Sequence, residues 1–209
     1  MTTSGRINVT LPKGSKELLH VFPVGGGGAA GYNNNGGSSG SFIHKTFNVS
    51  DNQFLFFDIT VGDGGSGRMR PGQATTVRFA EQEELVQISG QMLSVPGGKG
   101  AGGSGGYKEP LPSFCQVNVT HGERGDGRYH YIGVPIDDEK RAGAGVIVNG
   151  QWDGLDRWGS LDGKGYGAGG GGSTIAPGGF PGVVVLALCE ATKKEQVEIR
   201  MRQYLDGRG

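Results

Sequence analysis

The sequence predicts an all-β domain, a β-sandwich or jelly-roll-like barrel interrupted by glycine-rich excursions. Three observations carry that prediction. Short runs rich in β-branched and aromatic residues alternate with polar ones, the signature of half-buried strands. Turn-forming or glycine-rich segments separate these runs. Before Thr192, no window sustains an apolar repeat of helical period.

Taken in order, 18-LLHVFPV-24 is the first run and leads straight into glycine. Next come 41-SFIHKTFNV-49 and 54-FLFFDITVG-62, parted by the turn formers Ser50, Asp51 and Asn52. The runs 75-TTVRFA-80, 85-LVQIS-89, 114-FCQVNVT-120, 129-YHYIGVPI-136, 146-VIVN-149 and 183-VVVLAL-188 complete the set. From Thr192 the chain changes character. TKKEQVEIRMRQYLDGRG is highly charged, and its apolar residues suit either a short helix or an extended arm. The expected organisation is a glycine-rich β domain over 1–191 and a charged tail or docking arm over 192–209.

Glycine fills what lies between. There are 44 glycines in 209 residues, concentrated in 24-VGGGGAAGYNNNGGSSG-40, 62-GDGGSGRMRPG-72, 97-GGKGAGGSGG-106 and 163-GKGYGAGGGGSTIAPGGFPG-182. Glycine loses more backbone entropy on ordering than any other residue, so one such block alone would read as a linker. Hydrophobic residues make up only 34% of the chain, and the glycine accounts for the shortfall.

Twenty basic and 20 acidic side chains give zero formal net charge. That argues against a basic stripe for nucleic acid and against a polybasic membrane anchor. The run 183-VVVLALC-189 is too short to span a membrane, so no membrane insertion is expected. The opening MTTSGRINVT lacks a charged-then-apolar leader, which points to synthesis in a cytosol. On that ground Cys115 and Cys189, which could pair, are expected as free thiols. The glycosylation-type triplets at Asn8, Asn48 and Asn118 then read as chance.

The order of the pieces is more specific than any one of them. Leu11-Pro12-x-Gly14 precedes a strand that runs into Gly25-Gly26-Gly27-Gly28. Then follow 59-ITVGDGGSG-67, 71-PGQATTVRF-79, 94-SVPGGKGAGGSGG-106, 165-GYGAGGGG-172 and 179-GFPGVVVLAL-188. This succession resembles the glycine-rich domain of bacteriophage tail-fibre and receptor-binding proteins. A related module occurs in the anaplastic lymphoma kinase receptor family. The resemblance runs from about Ile7 to Leu188; the glycine-poor stretch 107–162 and the charged tail depart from it. It implies a sandwich from which the glycine blocks project as polyglycine-II helices, packed side by side. Such helices have three residues per turn and no internal hydrogen bonds, so neighbours must satisfy their backbone groups.

Candidate chemistry is sparse. Gly62-Asp63-Gly64-Gly65-Ser66-Gly67 fits a dinucleotide-binding fingerprint, but Pro71 and Gly72 oppose the helix that it needs. No phosphate-loop motif accompanies it, so no cofactor is expected. Arg124-Gly125-Asp126 is an adhesive tripeptide only if displayed, and glycine abundance makes it cheap. His20, His44, His121 and His130 show no metal-ligand spacing, and structural roles are expected for them. The acidic residues 137-DDE-139, Asp153, Asp156 and Asp162 lack a calcium-loop register. The strongest binding candidate is 151-QWDGLDRWGSLDG-163, where Trp152, Asp153, Arg157 and Trp158 offer anchor-type side chains. Tyr107 and Tyr129 sit in neighbouring candidate loops. The competing role for the tryptophans is packing against the sheet or a glycine helix.

The resemblance then implies a non-enzymatic virion component, either an adhesin or a purely structural capsid or baseplate protein. Its expected partners are other virion proteins and a host surface receptor, and a homo-oligomer is compatible with that role. The alternative is an extracellular recognition module, which would oxidise Cys115 with Cys189.

Overall fold

The computed structural model describes residues 1–11, 17–31, 35–49, 54–79, 91–100, 110–125, 141–152, 163–171 and 178–191. These form nine strands and no helix: β1 (Gly5–Thr10), β2 (Glu17–Val24), β3 (Lys45–Val49), β4 (Phe54–Thr60), β5 (Thr75–Phe79), β6 (Met92–Val95), β7 (Val119–His121), β8 (Val146–Val148) and β9 (Val183–Glu190). The predicted all-β class holds. The predicted strands 85–89 and 129–136, and the tail 192–209, lie outside the described residues.

The strands make three antiparallel layers, ordered β1-β4-β5-β6, β3-β2-β9 and β7-β8. The middle sheet is covered on both faces. Leu19, Val21 and Val184 meet Leu55, Phe57, Ile59, Val77 and Phe79 of the first sheet. Phe22, Val24 and Val183 point the other way, against Phe114, Val119 and Val146. Successive side chains of a strand face opposite sides. A doubly covered strand must therefore be apolar almost throughout, which is why β2 reads ELLHVFPV and β9 VVVLALCE. By contrast β1, a sheet edge with four of its six residues polar or glycine, buries none of its side chains fully.

Between Phe114 and Val119 the chain departs from the predicted strand. Phe114 and Val117 close a tight turn, and Cys115 adopts a left-handed φ of 51°. Regular pairing starts only at Val119. The turn sends Phe114 into the second core and brings Cys115 to Cys189, with Cα atoms 5.8 Å apart, within disulfide range. The two are disulfide-bonded. This corrects the expectation of free thiols, which rested on the N-terminal sequence rather than on spatial proximity.

Candidate functional site

Where β2 ends, its chain continues as a glycine segment, and seven more such segments gather round it. In chain order they are g1 (25–31), g2 (35–41), g3 (61–66), g4 (69–74), g5 (96–100), g6 (141–145), g7 (163–171) and g8 (178–182). Gly25 and Gly28 donate their N–H groups to the Ser41 and Ser38 carbonyls of g2, at 2.8 and 2.9 Å. Gly26 and Ala29 donate to Gln73 and Arg70 of g4, at 3.0 and 2.9 Å. Gly27 donates to Phe180 of g8 at 2.8 Å. The partner repeats every third residue, so g1 turns once per three residues, the repeat of a polyglycine-II helix.

The g1 carbonyls complete the pattern. Gly26, Gly27 and Gly28 accept from Gly98 of g5, Gly65 of g3 and Gly170 of g7. Six segments therefore surround g1, and they also bond to one another round the ring. Ser38 donates to Lys99, Gly72 to Gly98, Gln73 to Asp63, Gly179 to Gly65, Phe180 to Ala168 and Gly37 to Gly170. The ring order is g2-g5-g4-g3-g8-g7, back to g2. Outside it, g6 joins g2 and g7 through Gly143.

Only glycine permits this spacing along g1. A Cβ on Gly25, Gly26, Gly27 or Gly28 would fall inside a backbone carbonyl of Pro96, Asp63, Ala168 or Lys99 respectively. The walls of the bundle are backbone, and their polar groups are satisfied by other backbone. At its root sits Thr75, the one fully buried polar side chain among the described residues. Its hydroxyl donates to the Val24 carbonyl at 2.7 Å and accepts from the Gly62 N–H at 2.9 Å. One side chain thus ties together the points where g1, g3 and g4 meet the sandwich.

Strand connections fix the direction of each segment. Segments g1, g3 and g5 leave β2, β4 and β6, while g4 and g8 return to β5 and β9. The described ends of g1, g3 and g5 consequently lie at the end of the bundle remote from the sandwich. Two places are described there. Gly31 donates to Asn35 across the first. In the second, Gly67 and Met69 take left-handed φ values of 80° and 60°, and Met69 is 49% exposed. This turn includes the end of the Gly62–Gly67 fingerprint, of which Gly62, Gly64 and Gly65 face backbone and which is followed by a reversal instead of a helix. Sequence reasoning did not single out Arg68, Met69 and Arg70 as display residues. Their position between two glycine runs was the available signal.

Of the predicted binding residues, Trp152 is described. It is half-buried and meets Phe180 of g8 edge-on, with ring centroids 5.9 Å apart. Asp153, Arg157, Trp158, Tyr107 and Tyr129 lie outside the described residues. So do Asp126 of the adhesive tripeptide, His130 and the acidic residues 137–139, 156 and 162. A shallow apolar groove of about 580 Å³ also opens beside β9, lined by Ile7, Val9, Val184, Leu186 and Tyr166 among others.

A second constellation sits on the face of the middle sheet that carries Phe22 and Val24, beside Phe114. His20 on β2 is hydrogen-bonded through Nδ1 to His44 Nε2 at 3.0 Å. Both rings stack with Phe114, at centroid distances of 5.1 and 4.8 Å. Burial pushes the His44 imidazole below its ordinary range, and the nearby His20 charge adds to the effect. Four residues spread from 20 to 189 in the sequence, His20, His44, Cys115 and Cys189, meet in this region.

The described residues thus form an all-β sandwich carrying a closed, backbone-bonded bundle of polyglycine-II segments. The family model of a glycine-rich domain matches residues 2–184, so the chain belongs to the glycine-rich domain family. Neither the curated proteins nor the solved structures contain a match to it.

Proposed function

We propose that this protein is a non-enzymatic virion component that presents the outer connections of its glycine bundle to a partner, as a phage tail or fibre-associated adhesin does. The observation that carries the reading is a bundle held by backbone hydrogen bonds, with the described ends of g1, g3 and g5 and the Gly67–Met69 turn at the end remote from the sandwich. Such a scaffold fixes loops without needing side chains of its own, so the connections are free to vary. Bundle backbone supplies no acid, base or nucleophile, which favours display over catalysis. The ordered resemblance to phage fibre proteins points to the same role. The partners in this reading are other virion proteins and a host surface receptor.

Mass spectrometry of purified particles, with electron microscopy to locate the chain, tests the proposal. Presence at the tail or fibre tip is the expected result, and absence from particles refutes it. The disulfide favours a second reading, an extracellular recognition module with a receptor-type glycine-rich region. Disulfides persist on secreted proteins and on virion surfaces alike, so the bridge is compatible with both roles. Thiol titration of the native protein bears on the second reading: two reactive thiols would remove its support.

A further inference from the structure

We infer that the reduced protein binds one zinc ion through His20, Cys115 and Cys189, at the place where the oxidised protein carries its disulfide. The ligand atoms of these three residues all lie within 4.8 Å of one another. Tetrahedral zinc, with bonds of about 2.3 Å to sulfur and 2.0–2.1 Å to nitrogen, holds its ligand atoms roughly 3.5–3.8 Å apart. The three groups thus need only side-chain adjustment to close round a metal once the sulfur–sulfur bond is cleaved.

The donor set and its surroundings suit the ion. Two soft thiolates and a borderline imidazole suit borderline-soft zinc, and three protein ligands leave a fourth position for water. His20 Nδ1 is engaged with His44 Nε2, which makes Nε2 the ligating nitrogen. That is the outer hydrogen bond by which a ligating imidazole is oriented, and His44 is a positioning residue rather than a ligand. Phe114 stacks on both imidazoles and is the chain neighbour of Cys115, so one ring restrains two sides of the site. Cys115 is exposed and gives the ion a path in.

The chemistry balances without an unnamed reagent. A phosphine reductant is oxidised to its phosphine oxide, water supplies the oxygen, and the disulfide becomes two thiols. Zinc then displaces both thiol protons to solvent, forming two sulfur–zinc bonds and one nitrogen–zinc bond. Either state links β9 to the 114–117 turn, so the bound metal takes over the crosslink that reduction removes.

The test uses the full chain, reduced with a phosphine and kept anaerobic, and titrated with cadmium as a spectroscopic substitute and with zinc in competition. We expect one equivalent of cadmium to produce a thiolate charge-transfer band that zinc abolishes, and the unreduced protein to produce none. His20→Ala should weaken binding at least about tenfold and His44→Ala by about 10–100-fold, the range for loss of an outer-shell partner. Cys115→Ser should lose the one-equivalent site. A melting scan with and without zinc covers the case in which reduction alone unfolds the chain, and zinc is expected to restore the transition. No band with the reduced protein, affinity unchanged in His20→Ala, or a reduced chain that stays unfolded with zinc would each overturn the inference.

Discussion

Gly27→Ala is the sharpest perturbation of the bundle, because Gly27 lies in the central segment and the change adds a single methyl. That methyl carbon would stand 1.8 Å from the Ala168 carbonyl oxygen and 2.8 Å from that of Gly167. Carbon atoms of this kind do not approach closer than 3.0 Å, so g7 must retreat from g1 by at least 1.2 Å, the difference between 3.0 and 1.8. The Gly170 to Gly28 hydrogen bond, 2.9 Å long, cannot survive such a displacement. Two buried backbone groups are left unsatisfied, each costing about 1–3 kcal/mol. The expected loss is therefore roughly 2–6 kcal/mol, a large share of the roughly 5–15 kcal/mol that holds a typical domain together. For a chain of this size, that lowers the melting midpoint by roughly 4–24 °C. Gly5→Ala is the matched control. Nothing lies within 4 Å of a methyl there, and no positive φ demands glycine. The control should melt with the parent or slightly above it, since glycine in a strand costs about 0.5–1 kcal/mol relative to alanine. The assay is thermal unfolding followed by circular dichroism. Equal midpoints for Gly27→Ala and Gly5→Ala would refute the packing argument.

Three further outcomes follow from the same structure. Thr75→Val keeps the shape but strips the bonds to Val24 and Gly62, and urea unfolding should show a loss of roughly 2–4 kcal/mol, with Thr75→Ser retaining most of the stability. Replacing Cys115 and Cys189 together with serine releases a crosslink across 74 residues, and chain entropy puts the metal-free loss at up to about 4 kcal/mol by the same assay. His44 is held below its ordinary 6.5, so the unfolded chain takes up its proton first as the solution is acidified. Stability of the oxidised protein should accordingly fall modestly with pH from about 6.5 downward, the effect being small because the ring is partly exposed. His44→Gln should flatten that slope, and a parent whose stability rises on acidification across this range would contradict the assignment.

Much of the sandwich was legible because burial imposes a side-chain pattern. The strands β2 and β9 are apolar on both faces and stand out in the sequence. The edge strand β1 escaped notice, since its whole apolar signal is Ile7 and Val9, and β6 has four residues with Met92 exposed. The glycine blocks could be matched to a family by their order, yet the six-around-one arrangement could not be read from them. Backbone-to-backbone bonds carry no side-chain code, and which segments become neighbours depends on the strands that launch them. Long-range chemistry was hidden for a related reason. His20, His44, Cys115 and Cys189 look scattered until β2 pairs with β9 and Cys115 takes its left-handed turn. Trp152 was visible as an unusual residue, but its contact with Phe180 depends on where g8 lies in the ring.

Amide hydrogen exchange, resolved by residue, tests the central claim most directly. The N–H groups of Gly25, Gly26, Gly27, Gly28 and Ala29 all donate to neighbouring segments, and all five residues are buried. A packed bundle predicts that these amides exchange as slowly as those of β2 and β4, through global unfolding. Exchange at the rate of an unstructured glycine peptide would contradict the bundle, and with it the rigid display on which the proposed function depends.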